Sequence, residues 1–162
     1  GLESLSGSNG FVLRGETADL AGSSVSITGD INGDGFDDIA VGAPSVDQDV
    51  PSPPPTNGKA YVIFGSSSIT VPGSLGDLNG VNGFSLSGST DNYAGRTVAI
   101  GGDLNGDGFD ELLIGEPGAS RGKVYFLFGT DFGLNNGVSG DGDTASIGIG
   151  QFTQDTCRLQ AC

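Results

Sequence analysis

The residues best suited to chemistry are oxygen donors set at fixed intervals. In the nonapeptide that starts at Asp30, the first, third, fifth and ninth places are Asp30, Asn32, Asp34 and Asp38, with Gly35 at the sixth. The pattern returns as Asp103, Asn105, Asp107 and Glu111, with Gly108 at the sixth place. Three carboxylates so close together repel one another unless a cation neutralises them. Glycine at the sixth place permits a sharp turn through positive φ, so the alternating side chains face one centre. The backbone carbonyl of the seventh residue, Phe36 or Phe109, can join them. Hard oxygen donors in this number suit Ca²⁺ better than a transition metal, and two loops predict two calcium sites. The bland alternative, a pair of solvated turns, requires both the spacing and its duplication to be coincidence.

The twelfth place separates one kind of calcium loop from another. An EF-hand needs a glutamate there and a helix on each side. Here the twelfth places are Val41 and Ile114, inside short apolar runs. That removes the EF-hand and disfavours dockerin and thrombospondin-type loops, which also place oxygen ligands there. The ninth-place acid therefore closes the site while starting a strand. Asp37 and Asp110, at the eighth places, are expected to point away from the metal, toward solvent or backbone. The stretch 76–83, "GDLNGVNG", imitates the motif but carries Val81 at the central acid, and reads as a turn. "SGDGDTAS" at 139–146 lacks the completing donors.

Composition excludes several other chemistries. The chain of 162 residues contains no histidine, which rules out Ser-His and Cys-His nucleophile pairs and histidine-bearing zinc sites. Six Lys and Arg against twenty Asp and Glu give a formal charge of −14, which argues against nucleic acid or an anionic membrane as partner. No apolar run approaches the roughly 20 residues of a membrane span, so no membrane insertion is expected. No signal peptide opens the sequence, and a mature protein or an excised piece is expected. Cys157 and Cys162 are the only cysteines, too few for a disulfide scaffold.

The elements that position these loops come from a repeat. Residues 9–44 laid over 82–117 give twenty identities in 36 positions without a gap. A matched pair then follows each copy, "GKAYVIFG" at 58–65 and "GKVYFLFG" at 122–129. Repeats of this length are stacked units that cannot bury a core singly. Within a unit the short β-branched or aromatic runs bounded by Gly, Asn, Asp or Pro predict strands near 23–28, 38–43, 59–64 and 83–87. The second unit predicts them near 96–100, 111–115, 123–128 and 144–149. Four short antiparallel strands per unit is the arithmetic of a propeller blade, and no helical periodicity competes with it.

The order of strand, acidic loop, "DIAVGAP" and "GKAYVIFG" closely resembles the FG-GAP repeats of integrin α-subunit β-propellers. The resemblance covers about residues 9–130, with Ala21-Gly22 and Ala94-Gly95 in place of the usual Phe-Gly and with Gly115-Glu116-Pro117 departing from GAP by one residue. It implies an all-β fold of two four-stranded antiparallel blades whose ring this chain alone does not close. The expected divisions are 1–15 as the outer strand of a preceding blade, with residues 10–14 matching a fourth strand, and 16–88 as the first blade with a proline-rich insertion at 45–57. Residues 89–150 form the second blade, and 151–162 a tail carrying both cysteines. In the family the calcium loop joins the first and second strands, and its ligand places carry onto Asp30, Asn32, Asp34, Phe36 and Asp38 and onto Asp103, Asn105, Asp107, Phe109 and Glu111. The metal's family role is structural, and partners bind the opposite face, here the insertion 45–57 and the loops 15–22 and 88–95.

The resulting expectation is a calcium-binding extracellular or cell-surface module for adhesion or protein assembly, without catalysis of its own. Its partners would be a protein or other blades, from the same longer chain, from further copies or from other subunits, because seven blades close the family's ring. A glycan-binding, lectin-like propeller is the alternative. With aromatics at 7% and no tryptophan to stack on a sugar, the residues favour it less.

Overall fold

A computed structural model describes residues 2, 5, 7, 9–44, 57–68, 72–89, 92–118 and 121–130. Residues 45–56 of the expected insertion at 45–57, the strand near 144–149, the acidic stretch at 139–146 and the tail with Cys157 and Cys162 lie outside these residues.

Seven strands and one turn of 3-10 helix make up the regular structure of the described residues. Four form the first sheet in chain order: β1 (Ser24–Ser26), β2 (Ile39–Ala43), β3 (Lys59–Ile63) and β4 (Gly83–Ser87). Three form the second: β5 (Thr97–Ile100), β6 (Leu112–Glu116) and β7 (Lys123–Leu127). Every pairing between these strands is antiparallel, with Val41 opposite Val25 and Tyr61 in the first sheet and Ile114 opposite Val98 and Tyr125 in the second. This is the meander of a propeller blade, written twice, without a closed ring.

Most strand bounds fall within a residue of those expected. The exceptions are β1, whose ladder stops at Ser26, and residues 10–14, which join no ladder. The strand expected at 10–14 belongs to the sheet of a preceding blade, which the described residues do not include. Leu13 packs instead on the apolar cluster of β2 and β3, and the Arg14 carbonyl accepts the Leu75 N–H at 2.8 Å. The "GDLNGVNG" stretch is the expected turn. Asn79 and Asn82 cross-cap each other's backbone, and a capping box of Ser74 and Asp77 opens the short helix Leu75–Asp77.

Alternation along β2 and β3 decides what each face covers. Ala40, Ala60 and Val62 meet Val98, Ile100, Leu112 and Ile114 of the second sheet, and this cluster is the core between the blades. Val41, Ala43, Tyr61 and Ile63 face the other way, onto Leu75 and Leu78. Each fully buried Val, Leu or Ile contributes about 1.5–3 kcal/mol, so most of the favourable burial requires both blades. Where the sheets approach, hydroxyls take up backbone groups. Ser24 donates to the Gly95 carbonyl at 3.1 Å, Thr28 donates to the Ile100 carbonyl at 3.2 Å, and Ile100 N–H donates to Ser26 at 3.0 Å.

Candidate metal centres

Each acidic loop bridges the first and second strands of its blade, 27–38 between β1 and β2 and 101–111 between β5 and β6. Their internal geometry is nearly the same. Asp30 accepts N–H groups from Gly33, Asp34 and Gly35 at 2.6, 3.1 and 2.8 Å. Asp103 accepts those of Gly106, Asp107 and Gly108 at 2.6, 3.0 and 2.9 Å. These donors, Gly108 foremost, hold Asp103 below the usual carboxylate range. Asn32 and Asn105 each accept the N–H of the acid two places on and donate back to its carboxylate. Asp34 and Asp107 in turn accept the Phe36 and Phe109 N–H groups at 2.9 and 3.0 Å. Gly35 at φ 86° and Gly108 at φ 92° turn the chain as the sixth place requires.

The ninth places differ. Asp38 is wholly buried, and both its oxygens accept backbone N–H groups, from Ile31 at 2.9 Å and Gly65 at 2.8 Å. Burial raises its pKa to about 6, against the lowering effect of those two bonds, with Asp34 and Asp30 adding repulsion. Glu111 is also wholly buried, and Leu104 N–H donates to its Oε2 at 2.6 Å, while Oε1 has no hydrogen-bond partner. One carboxylate oxygen from each of Asp103, Asp107 and Glu111 lies within 4.8 Å of the others. The added methylene of Glu111 thus brings a third carboxylate to the pair. An orphaned buried oxygen is costly unless something binds it, and an all-oxygen donor set fits a hard divalent cation. In the first loop Asp30, Asn32 and Asp34 keep the same hydrogen bonds to one another, but among the described residues only the second loop brings three carboxylates this close. Each Asp38 oxygen, bonded to backbone, keeps a second lone pair.

Asp38 gives a pH prediction. Its carboxyl holds a proton more tightly folded, at about 6, than unfolded, at the ordinary 3.8. That contribution to stability is full below the ordinary value and is lost as pH rises through about 6. In chelator, urea unfolding of the native chain relative to Asp38→Asn should therefore show stability declining from pH 4.5 to 7. Equal pH slopes in the two proteins would refute the assignment.

The eighth places resolve differently in the two loops. Asp110 bonds to backbone, and that backbone belongs to the first blade: its Oδ2 accepts the Asp30 N–H at 2.8 Å, and its own N–H donates to the Asp30 carbonyl at 2.9 Å. Asp37 is exposed.

Sequence reasoning passed over a second polar group, reached by the loop 15–22. Asp19 is buried and accepts Glu16 and Ala21 N–H at 2.8 and 3.0 Å. The Tyr61 hydroxyl donates to Asp19 at 3.1 Å and to Glu16 at 3.2 Å, and Lys59 pairs with Glu16. Burial and those two acids push the Tyr61 phenol well up. In the second blade Lys123 and Tyr125 hold the same repeat places, but Ser89 and Asn92 replace the two acids. There the carboxylate comes from Glu116, wholly buried with Lys123 Nζ at 3.9 Å. The departure from GAP thus restores the charge that the loop has lost. The recurring Lys-x-Tyr was the available signal; its acid partner was not, because it comes from unrelated places.

Comparison with known proteins agrees with this geometry. The FG-GAP repeat family matches residues 21–63 and 94–127, the spans that hold both acidic loops and strands β1–β3 and β5–β7. The chain is an FG-GAP repeat protein. It is similar to integrin alpha-7 of Rattus norvegicus, 32% identical over 142 residues, which is 87% of this chain and 12% of that protein. Integrin alpha-7 of Homo sapiens is 31% identical over 123 residues, 76% of this chain and 10% of that protein. Integrin alpha-8 of Mus musculus is 35% identical over 114 residues, 68% of this chain and 10% of that protein. The FG-GAP chain thus spans about a tenth of the length of the relatives it matches, and its two sheets are blades of an integrin-α-like propeller.

Proposed function

We propose that this chain is a calcium-stabilised part of an extracellular adhesion or assembly propeller, in which the metal is structural. The observation that carries the metal is the orphaned, buried Oε1 of Glu111 beside Asp103 and Asp107. Asp30, Asn32, Asp34, Asp38 and the Phe36 carbonyl would hold one ion. Asp103, Asn105, Asp107, Glu111 and the Phe109 carbonyl would hold the other. A bound cation neutralises each cluster and ties both ends of its loop together. Extracellular calcium suits even weak sites, since extracellular modules bind at about 10⁻⁴–10⁻³ M.

The partner in assembly is a further blade or a neighbouring protein. Val124, Phe126 and Phe128 are 59%, 50% and 52% exposed. Their counterparts in the first blade, Ala60, Val62 and Phe64, lie in or against the core between the blades. Leu104 is 65% exposed, and its counterpart Ile31 is fully buried. The second blade therefore presents the surface that the first blade covers. Among the described residues no helix is long and apolar enough to cross a membrane. At the other end of the blades, Leu20 and Tyr93 share one repeat place and both hold positive φ, 56° and 59°. Such strain is retained where surroundings fix it, often at binding loops.

Titration calorimetry tests the metal. Calcium should bind with a stoichiometry of two, falling to one in either Asp34→Ala or Asp107→Ala. Absence of any calcium uptake would overturn the reading.

A further inference from the structure

The acid that the metal does not use joins one loop to the other. Asp110 stands between two of the proposed ligands of the second loop, Phe109 and Glu111, yet both of its polar contacts reach the first. Its carboxylate takes the Asp30 N–H at 2.8 Å and its N–H reaches the Asp30 carbonyl at 2.9 Å, so the two residues clasp each other. Asp30 is the residue around which the first loop winds, through three N–H groups on its carboxylate. The clasp has support on both sides. A Cβ on Gly33 would lie 2.3 Å from the Phe109 ring, so the ring rests directly on that turn. The Ile31 carbonyl accepts the Thr130 N–H at 3.0 Å. Gly29 must also lack a side chain, since a Cβ there would lie 2.8 Å from the Asp110 carboxylate.

The second loop has no such seat. Gly102 and Gly106, which correspond to Gly29 and Gly33, would meet nothing within 4 Å with an added Cβ. The seating thus runs from the second blade to the first, although any equilibrium coupling it produces must be reciprocal.

We propose that Asp110 is a positioning residue that couples the two calcium loops, so that an ion in one raises the affinity of the other. This rests on the calcium reading above. Calcium at Asp103, Asp107 and Glu111 fixes the segment that carries Phe109 and Asp110. A fixed Asp110 holds the Asp30 backbone in the position from which its carboxylate gathers the first loop. An ion in the first loop orders Asp30 and thereby the same clasp.

A double-mutant cycle read by calcium titration tests this. Asp107→Ala, which empties the second site, should weaken the first site by about fivefold or more, within the usual range of coupling between sites. Asp34→Ala should weaken the second site by the same factor. In an Asp110→Ala background both effects should vanish, and the first site should already be weak. Asp110→Asn keeps an acceptor oxygen and should retain most of the coupling, which gives a second variant should the alanine chain fail to fold. In calcium-free protein, amide hydrogen exchange at Asp30 should be faster in Asp110→Ala than in the native chain. Two calcium ions bound with no coupling, or coupling that survives Asp110→Ala, would overturn this proposal and leave the calcium reading intact. A native chain that binds no calcium would overturn both.

Discussion

Gly42→Ala should destabilise the chain by about 1–3 kcal/mol, while Gly115→Ala, at the same place in the other repeat, should be near neutral. The two glycines belong to the same three-residue motif at the end of the second strand of each blade, but they meet different things. A Cβ on Gly42 would lie 2.0 Å from the Gly95 carbonyl oxygen and 2.3 Å from Ser24 Oγ. The carbonyl is backbone of the neighbouring blade, and Gly95, at φ 82°, is itself wedged against the Lys59 carbonyl. Relief requires the blades to separate where Ser24 joins them, and that opens the core behind. A Cβ on Gly115 would meet the Thr97 hydroxyl at 2.2 Å, but other Thr97 atoms only beyond 3.5 Å, so a side-chain rotation relieves the clash. Neither glycine holds positive φ, so alanine also stiffens the unfolded chain, worth about 0.4–1 kcal/mol in favour of folding. That gain offsets a small clash at 115 and not the large one at 42. Urea unfolding of both variants measures the difference. Equal losses would mean that Gly42 is not a wedge point between blades.

Chelation should have the larger effect. With each site at one hundred times its dissociation constant, calcium stabilises the folded chain by about 2.7 kcal/mol per site. Two sites at that saturation correspond to a fall in melting temperature of roughly 10–20 °C when EDTA is added. Repulsion among Asp30, Asp34 and Asp38, and among Asp103, Asp107 and Glu111, then acts without a counter-ion. Asp34→Ala with Asp107→Ala should melt at the same temperature with and without EDTA. A native chain whose melting temperature EDTA does not move would contradict the structural role of the metal.

Much of the architecture could be read along the chain because the repeat supplies its own control. Two copies of strand, acidic loop, Gly-x-Pro and Lys-x-Tyr, differing at nearly half their places, expose which places the fold requires. The strands β2, β3 and β6 were legible because they are buried on one or both faces and are rich in Val, Ile and Leu. At 10–14 the expected strand has no ladder, because the preceding blade it would complete is not among the described residues. Strand formation depends on a neighbour, and that segment has none among the described residues. The acidic loops were legible because every contact inside them spans at most nine residues, and short-range spacing fixes such geometry.

The contacts that distinguish the two sites are of another kind. Gly65 donating to Asp38, Asp110 clasping Asp30, and Phe109 lying on Gly33 each join residues 27 to 80 places apart. Glu111 and Asp38 hold the same place in the motif, yet one keeps an unbonded oxygen beside its acids and the other spends both oxygens on backbone. The sequence by itself determined the blade and the loop, since strand alternation and turn chemistry are local. Only the tertiary structure decided which carboxylates converge and which hold the blades together, because that depends on how one sheet stacks on the next.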